Sequence, residues 1–536
     1  MRILLVQAKS PSTYWSYEYS LPFLGKAAAL PPLGLATLAA LLPKQWEVRI
    51  LDLHVAPLCD EDLAWADAVM VSGMLIQSDS IREVLRRAGR MGRRTVLGGP
   101  APTTSPEAFP EADHVFVGEA EGRLEHLIAA LEAPELPAPR VLSPGEARRP
   151  KLTLSPLPRF DLLDLRRYAS FAVQASRGCP FRCEFCDIIE VFGRIPRLKS
   201  PEQILAELEE LYRLGGRGSL FFVDDNFIGN RREIAKLLPR LTTWQEAHGH
   251  PFDLYTEASL DLADEPALLG AMVAAGFSAV FVGIESPSEA SLRATGKTQN
   301  LRSGPREAVS RLTRAGLEVF AGFIVGFDED DERIFDQQIE LVGSLPIPRA
   351  MVGLLSALPG TALWRRLEGE GRLRRAPSGD QFERPNFEPR LPEKSLIDGY
   401  RRVLSALYSD EGYYTRCHIH LDEVRLGPGT LRPGWLRPLL LALWSIGVVG
   451  SRRARFWKLV WRGARRGLAG FAQAVALAIL GEHLIRYTRE VVLPRLDRSL
   501  AILGEEGADE PRQRESSSRR VARRAVLASE SQSQPS

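Results

Sequence analysis

Cysteine is scarce, with five in 536 residues. So few exclude a disulfide-stapled secreted scaffold and fit a reducing compartment. A net charge of one sign is lacking as well. Sixty-nine basic residues stand against 67 acidic ones, a formal balance of +2, which leaves no electrostatic footprint for nucleic acid as a global partner. The apolar stretch at residues 438–450 has 13 residues, short of the ~20 that cross a bilayer as a helix. The opening run Met-Arg-Ile-Leu-Leu-Val-Gln is too brief for a signal peptide and reads as a first strand. A cytoplasmic location is expected. The composition is that of an ordinary globular protein, 45% hydrophobic and 25% charged, in a chain long enough for two or three domains.

What is present is concentrated. Cys179, Cys183 and Cys186 crowd into the run Ser-Arg-Gly-Cys-Pro-Phe-Arg-Cys-Glu-Phe-Cys-Asp. A C-x3-C-x2-C loop can place its thiolates on three irons of a four-iron cube and leave the fourth iron open to a small molecule. Zinc is the alternative, but zinc sites pair two short knuckles or add nearby histidines. No second knuckle follows here, and His248 and His250 stand far downstream. An odd trio also cannot satisfy itself with disulfides. Cys59 and Cys417 are isolated and read as free thiols.

In the first part of the chain, strand-like runs at 3–7, 47–53, 68–72, 95–97 and 114–117 alternate with helical patterns at 34–42, 80–91 and 122–131. That alternation implies a parallel, doubly wound α/β sheet, whose ligands lie beyond the carboxyl ends of the strands. Those ends carry small residues: Ser72-Gly73, Gly98-Gly99-Pro100 and Gly118-Glu119. Glycines there admit a bulky ligand to the backbone, although ligand-free tight turns would look the same. Residues 132–165 are rich in proline and read as an extended linker. From 171 to about 360, six strand–helix pairs fit a partial (β/α)6 barrel. Its strands are expected at 171–176, 219–223, 252–256, 279–284, 319–325 and 351–357. They end in Asp224-Asp225-Asn226, in Glu257 with Ser259, in Glu285-Ser286, and in Gly326 with Asp328. One such rim is ordinary, but four in register favour a site.

Residues 386–505 are expected to form a separate, mainly helical unit. Cys417-His418-Ile419-His420 tempts a metal reading, yet three close ligands without a fourth favour a packing helix facing the barrel. Tyr413 and Tyr414 beside it are candidates to line a pocket. Around 438–450 stand Trp435, Trp444, Trp457 and Trp461 with many arginines, which fits either peripheral membrane contact or a buried bundle with a basic face. Residues 506–536 read as a disordered tail.

The cysteine spacing, with Phe185 before the third cysteine, resembles the signature of the radical S-adenosylmethionine superfamily. The N-terminal sheet, with Pro31-Pro32-Leu33-Gly34-Leu35 opening its first helix, makes about the first 360 residues similar to the cobalamin-binding subfamily. The resemblance implies a Rossmann-like cobalamin domain at 1–135, a linker at 136–165, a radical barrel at 166–385 and a helical domain at 386–505. It also implies a [4Fe-4S] cluster on Cys179, Cys183 and Cys186. Cobalamin would lie on Ser72, Gly73, Gly98, Gly99, Gly118 and Glu119. S-adenosylmethionine would meet Phe185, Asp225, Asn226, Glu257, Glu285, Ile324 and Gly326. Two departures stand out. Asp224-Asp225-Asn226 replaces the family's Gly-Gly-Glu-type segment, and the D-x-H-x-x-G element that supplies a histidine below cobalt is absent. Asp52-Leu53-His54 follows the second strand and lacks the glycine, so His54 reads as structural.

The implied chemistry is methyl transfer from methylcobalamin to an unactivated carbon, opened by a 5′-deoxyadenosyl radical. The alternatives are a cyclisation or oxidation that leaves no methyl behind, and a non-enzymatic zinc or corrinoid-binding module. The helical tail and the run Tyr14-Trp15-Ser16-Tyr17 look like the subgroup that includes hopanoid C-2 methylases. The implied partners are a small-molecule or lipid substrate and a low-potential donor such as flavodoxin or ferredoxin. The inner face of a membrane is a further candidate.

Overall fold

A computed structural model of the chain describes residues 1–132, 139–143, 149–426 and 434–506. The expected tail beyond 506 lies outside these residues. The N-terminal sheet contains β1 (Arg2–Gln7), β2 (Glu47–Asp52), β3 (Ala68–Ser72), β4 (Arg94–Gly98), β5 (His114–Phe116) and β6 (Val141–Leu142). All pair in parallel, in the order 2-1-3-4-5-6. Ile3, Leu4, Leu5 and Val6 are all buried, because a parallel sheet is covered by helices on both faces. One apolar core packs against helices Leu33–Leu41 and Glu125–Glu132. The other packs against Asp60–Trp65 and Ser78–Arg90. The strand order reverses between β1 and β3, which makes that crevice the switch point.

The proline-rich stretch is more than a linker. Val141 and Leu142 pair with Val115 and Phe116 as the sheet's last strand. Residues 149–170 then follow short turns held to both neighbours: Gln203 Nε2 donates to the Ser155 carbonyl at 2.8 Å, and Tyr168 Oη donates to Asp52 at 3.1 Å. Residues 133–138 and 144–148 of that stretch are outside the described set.

The second sheet contains β7 (Phe171–Val173), β10 (Gly218–Phe222), β11 (Phe252–Ala258), β12 (Phe277–Glu285), β13 (Glu318–Val325) and β14 (Ala350–Leu354). They run in parallel in that order with helices between them, as a partial (β/α)6 barrel requires. The first barrel strand is shorter than expected. Asp224 takes the Ala175 amide at 2.8 Å and the Ser176 hydroxyl at 2.6 Å, which turns the chain out of the sheet. Ser176–Arg177, β8, then pairs antiparallel with β9 (Arg197–Leu198). The period of two divides the barrel faces. Leu254, Thr256, Val280, Val282, Val319 and Ala321 are buried on the helix side. Tyr255, Glu257, Phe281, Gly283, Phe320 and Gly322 alternate with them on the inner side.

The apolar side chains of the C-terminal helices join the barrel's core. Tyr400 Oη, on helix Glu393–Leu407, donates to the Val352 carbonyl at 2.8 Å. Arg416, wholly buried on helix Asp410–Glu423, donates to the Ile347 and Leu407 carbonyls at 3.0 and 2.7 Å. A helix over Gly467–Glu506 is long and apolar enough to cross a membrane, but 56% of its apolar window is buried inside the protein. It serves as a core helix. The strap at residues 12–20 lies along it. Tyr487 Oη donates to the Ser12 carbonyl at 2.6 Å, and His483 Nε2–H donates to the Thr13 and Tyr14 carbonyls at 3.2 and 3.1 Å.

Candidate functional site

The cysteine loop sits inside the β8–β9 hairpin, at the carboxyl end of the barrel. Gly178, at φ 101°, opens it, and a Cβ there would stand 2.7 Å from the Gly193 carbonyl. The Cys179 amide bonds that carbonyl at 3.2 Å. The Gly178 amide donates to Asp225 at 2.7 Å, and the Glu184 amide to the Thr295 carbonyl at 3.0 Å. Cys183 is buried, while Cys179 and Cys186 are partly exposed. Burial raises the thiols of Cys179 and Cys186, so cationic ligation is what would hold them as thiolates.

Two amides point at sulfur. Asn226 Nδ2 is 3.8 Å from Cys179 Sγ, and Gln299 Nε2 is 3.7 Å from Cys183 Sγ. Among the described residues, no three His, Cys, Asp or Glu side chains converge as ligands of a single ion. A cube sets each thiolate on a different iron and needs no fourth protein donor. The same finding applies to Cys417, His418 and His420. Cys417 and His420 are buried in a packing helix. Tyr413 and Tyr414 are buried there too, with Tyr413 Oη donating to the Leu477 carbonyl at 2.7 Å.

Around the barrel mouth, burial raises three carboxylates: Asp224 to about 7, Asp225 to about 6 and Glu257 to about 8. Asp225 and Asp224 push Glu257 further up. Asp224 and Asp225 spend oxygens on the Ala175 and Gly178 amides and the Ser176 hydroxyl, whereas the Glu257 carboxylate has no hydrogen bond among the described residues. Three expected ligand side chains have other partners. Asn226 bonds Cys179 and Ser259, the latter at 3.2 Å. Glu285 turns back at φ 68° onto Lys297 Nζ at 2.7 Å. Glu119 is taken by Arg177 and Arg197 at 2.9 and 2.8 Å. Phe185 packs 5.8 Å from Phe327, beside Ile324. Gly326, at φ 102°, gives its amide to Asp330 at 2.9 Å. Asp328 is paired with Arg366 and Arg372 at 2.7 and 2.6 Å, which leaves it no part in the mouth.

Lys297 and Gln299 were not anticipated from sequence. They lie on the turn after helix Glu289–Ala294, away from the strand ends. Their signal was indirect, since a carboxylate closing a buried strand, as Glu285 does, requires a cation close by.

At the other site, Ser72 pairs with Gly98 across β3 and β4. Gly99, at φ 98°, lies so close that a Cβ would be 2.7 Å from Ser72 Oγ, and a Cβ on Gly73 would be 2.9 Å from Gln77 Oε1. The Gly118 amide donates to Thr103 Oγ1 at 3.1 Å, and that hydroxyl donates to the Gly99 carbonyl at 2.7 Å. These close approaches leave no room for a side chain at Gly73 or Gly99 and tie the ends of β3, β4 and β5 together. His54 is not available to a metal: Nδ1 meets Asp52 at 2.8 Å, and Nε2 accepts the Ser10 amide at 3.0 Å. Arg177 bridges Glu119 and Glu121 at 2.9 and 2.8 Å, which staples this region's edge to the cysteine hairpin. The segment after β5 and the cysteine hairpin are therefore in direct contact.

Comparison with known proteins agrees with this layout. The B12 binding domain model matches residues 27–128, the radical SAM superfamily model 173–341, and a domain of unknown function 361–494. An uncharacterized methyltransferase of Synechocystis is 40% identical over 509 residues, 93% of this chain and 94% of its own. The hopanoid C-2 methylase of Rhodopseudomonas palustris is 36% identical over 501 residues, 91% of this chain and 94% of its own. The chain belongs to the cobalamin-binding radical S-adenosylmethionine methyltransferases.

The fold of this radical methyltransferase is also that of solved structures. TsrM of Kitasatospora setae, with cobalamin and a [4Fe-4S] cluster bound, aligns with TM-score 0.57 at 16% identity, over 91% of this chain and 99% of that one. OxsB, with aqua-cobalamin and S-adenosylmethionine bound, aligns with TM-score 0.57 at 15% identity, over 95% and 81%. The enzyme's cofactors are a [4Fe-4S] cluster, S-adenosylmethionine and cobalamin. When bound, these supply one-electron bond cleavage and a transferable methyl group, while the protein contributes placement.

Proposed function

We propose that this methyltransferase adds a methyl group to an unactivated carbon of a lipid with an apolar, ring-rich body, hopanoid-like in character. One observation carries the reading: the barrel's inner face is aromatic. Phe221 and Tyr255 stack at 4.6 Å, Tyr255 meets Phe320 at 6.2 Å, and Phe281 meets Phe320 at 5.7 Å. Trp15 of the strap closes on Phe281 at 5.6 Å. Such a wall offers flat apolar contact and few partners for a polar substrate. The name of the Rhodopseudomonas palustris relative supports the same substrate class.

In this reading Cys179, Cys183 and Cys186 hold the cluster, with Asn226 and Gln299 donating to their sulfurs. Glu257, helped by Asp224 and Asp225, receives the positive charge of S-adenosylmethionine. An unbonded carboxylate raised by burial and like charge is stabilised by a cation placed beside it. Phe185, Ile324 and Gly326 form the apolar wall for the cofactor's adenosyl end, and Lys297 holds Glu285 at its edge. Ser72, Gly73, Gly98, Gly99 and Gly118 receive the nucleotide tail of cobalamin. A low-potential donor such as flavodoxin or ferredoxin supplies the electron, and the enzyme works in the cytoplasm at the inner face of a membrane.

The test compares lipid extracts of a host with and without the gene. A lipid that carries one additional carbon-bound methyl group only when the gene is present is the expected result. Identical lipid profiles, with the change confined to a water-soluble metabolite, would overturn the lipid assignment.

A further inference from the structure

We propose that the C-terminal helices carry a membrane-docking face that seats this enzyme on a bilayer bearing anionic headgroups. Residues 434–470 contain eight arginines and lysines and no aspartate or glutamate. Two helices in this segment, Leu436–Ser445 and Arg453–Ala464, each bury only one side. Ala442 and Ile446 face inward from the first, and Phe456, Leu459 and Val460 from the second.

The opposite sides are uncovered. Leu436, Leu440, Trp444 and Val448 are 59, 56, 64 and 52% exposed, four residues apart on one stripe. Trp457 and Trp461 form a second stripe, 46 and 62% exposed, and Leu468, 47% exposed, opens the next helix. Trp457 Nε1 donates to the Gly447 carbonyl at 2.9 Å, which ties the stripes side by side. Of seventeen large apolar side chains exposed among the described residues, nine lie in this segment. Single exposed apolar residues are normal, but a contiguous patch marks a partner surface.

Charge selects the partner. Arg453, Arg455 and Lys458 are exposed at the patch and form no ion pair among the described residues. The Arg465 guanidinium lies 4.8 Å over the Trp461 ring. By contrast, Arg452 and Arg462 are pinned to Glu482 and Asp422 and belong to the fold. A second copy of the chain would bring the same unpaired cations against themselves, with no acid in the segment to answer them. An anionic lipid surface answers them directly, and tryptophan with basic residues around short apolar helices is what an interfacial zone accommodates. The face also adjoins the strap: helix Leu21–Leu24 packs against Leu436–Ser445, and the strap's Trp15 reaches the barrel's aromatic wall. Docking would thus set the barrel's aromatic side near the surface from which a lipid enters. The face stands on its own exposure and charge, independently of the substrate assignment.

The test is co-sedimentation of the full-length, cluster-loaded protein with vesicles of phosphatidylcholine alone or mixed with phosphatidylglycerol. Neither vesicle contains a hopanoid, so binding is read apart from methylation. Binding to the mixed vesicles is expected, with the triple variant Arg453→Glu, Arg455→Glu, Lys458→Glu lowering it about tenfold or more. Trp444→Ser with Trp461→Ser should lower it as well, while iron content and thermal midpoint stay unchanged because these side chains are exposed. The proposal is overturned if the wild type ignores both vesicles, or if neither variant changes binding. It is equally overturned if light scattering shows a dimer that the tryptophan variant dissociates. Vesicle binding that the variants abolish, alongside no lipid methylation, would keep the docking face and remove the lipid substrate.

Discussion

Glu257 projects from the inner face of β11 with no hydrogen bond to its carboxylate among the described residues, and burial lifts its pKa to about 8. The folded protein therefore keeps a proton that the unfolded chain would release near its ordinary pKa of about 4.3. The sign follows from linkage: stability from this group is fully present in acid and is lost as pH rises through about 8. Asp224 and Asp225, at about 7 and about 6, act in the same direction. Without cofactor, the thermal midpoint should fall between about pH 5 and pH 8, and less steeply in Glu257→Gln. In the same variant, calorimetry should find S-adenosylmethionine binding weakened about thirtyfold or more. Unchanged affinity would remove Glu257 from the cofactor's site. At this scale sequence reading reached the cysteine trio because adjacent positions carry that signal. It did not reach Lys297 or Gln299, whose approach to Cys183 depends on a turn more than one hundred residues away. It assigned Asn226 and Glu119 to ligands because both close strands, yet thiolate and guanidinium groups from other elements claim them first.

Among the elements, the β8–β9 hairpin is held by backbone contacts that leave no room for a side chain at Gly178. Gly178→Val would place a β-branched residue at φ 101°, with its Cβ 2.7 Å from the Gly193 carbonyl. The strain expected is about 1–3 kcal/mol, and iron bound per chain after anaerobic reconstitution should fall with it. Full loading and unchanged denaturant stability would show that the hairpin is not preorganised by this turn. Most strands and helices of both sheets stood out in the sequence because buried parallel strands are continuous apolar runs between amphipathic helices. β6 did not, since two residues carry no period. β7 was expected to be longer because nothing in its own residues announces that Asp224, about fifty positions on, takes the Ala175 amide and the Ser176 hydroxyl. The apolar run at 438–450 drew attention from the longer helix at 467–506, whose burial only tertiary packing decides.

At the scale of the whole molecule, Arg177 couples the two cofactor regions. Its removal as Arg177→Leu would leave Glu121 buried without its ion-pair partner while Glu119 keeps only Arg197, a cost of about 3–5 kcal/mol. Cobalamin retention should drop together with cluster content in that variant, as read by corrinoid absorbance and iron analysis. A variant that keeps both would show that the regions are independent. The resemblance to the cobalamin-binding subfamily reached about 360 residues and the helical tail looked like the hopanoid C-2 methylase subgroup, while similarity to the Synechocystis relative spans 93% of the chain; the apolar side chains of the C-terminal helices join the barrel's core. The most direct measurement supplies the reconstituted enzyme with cobalamin, reductant, methyl-labelled S-adenosylmethionine and host lipid. The expected result is label in a carbon-bound methyl group of one lipid, together with 5′-deoxyadenosine, and loss of both in Cys183→Ala. Release of 5′-deoxyadenosine with no label entering any lipid would contradict it.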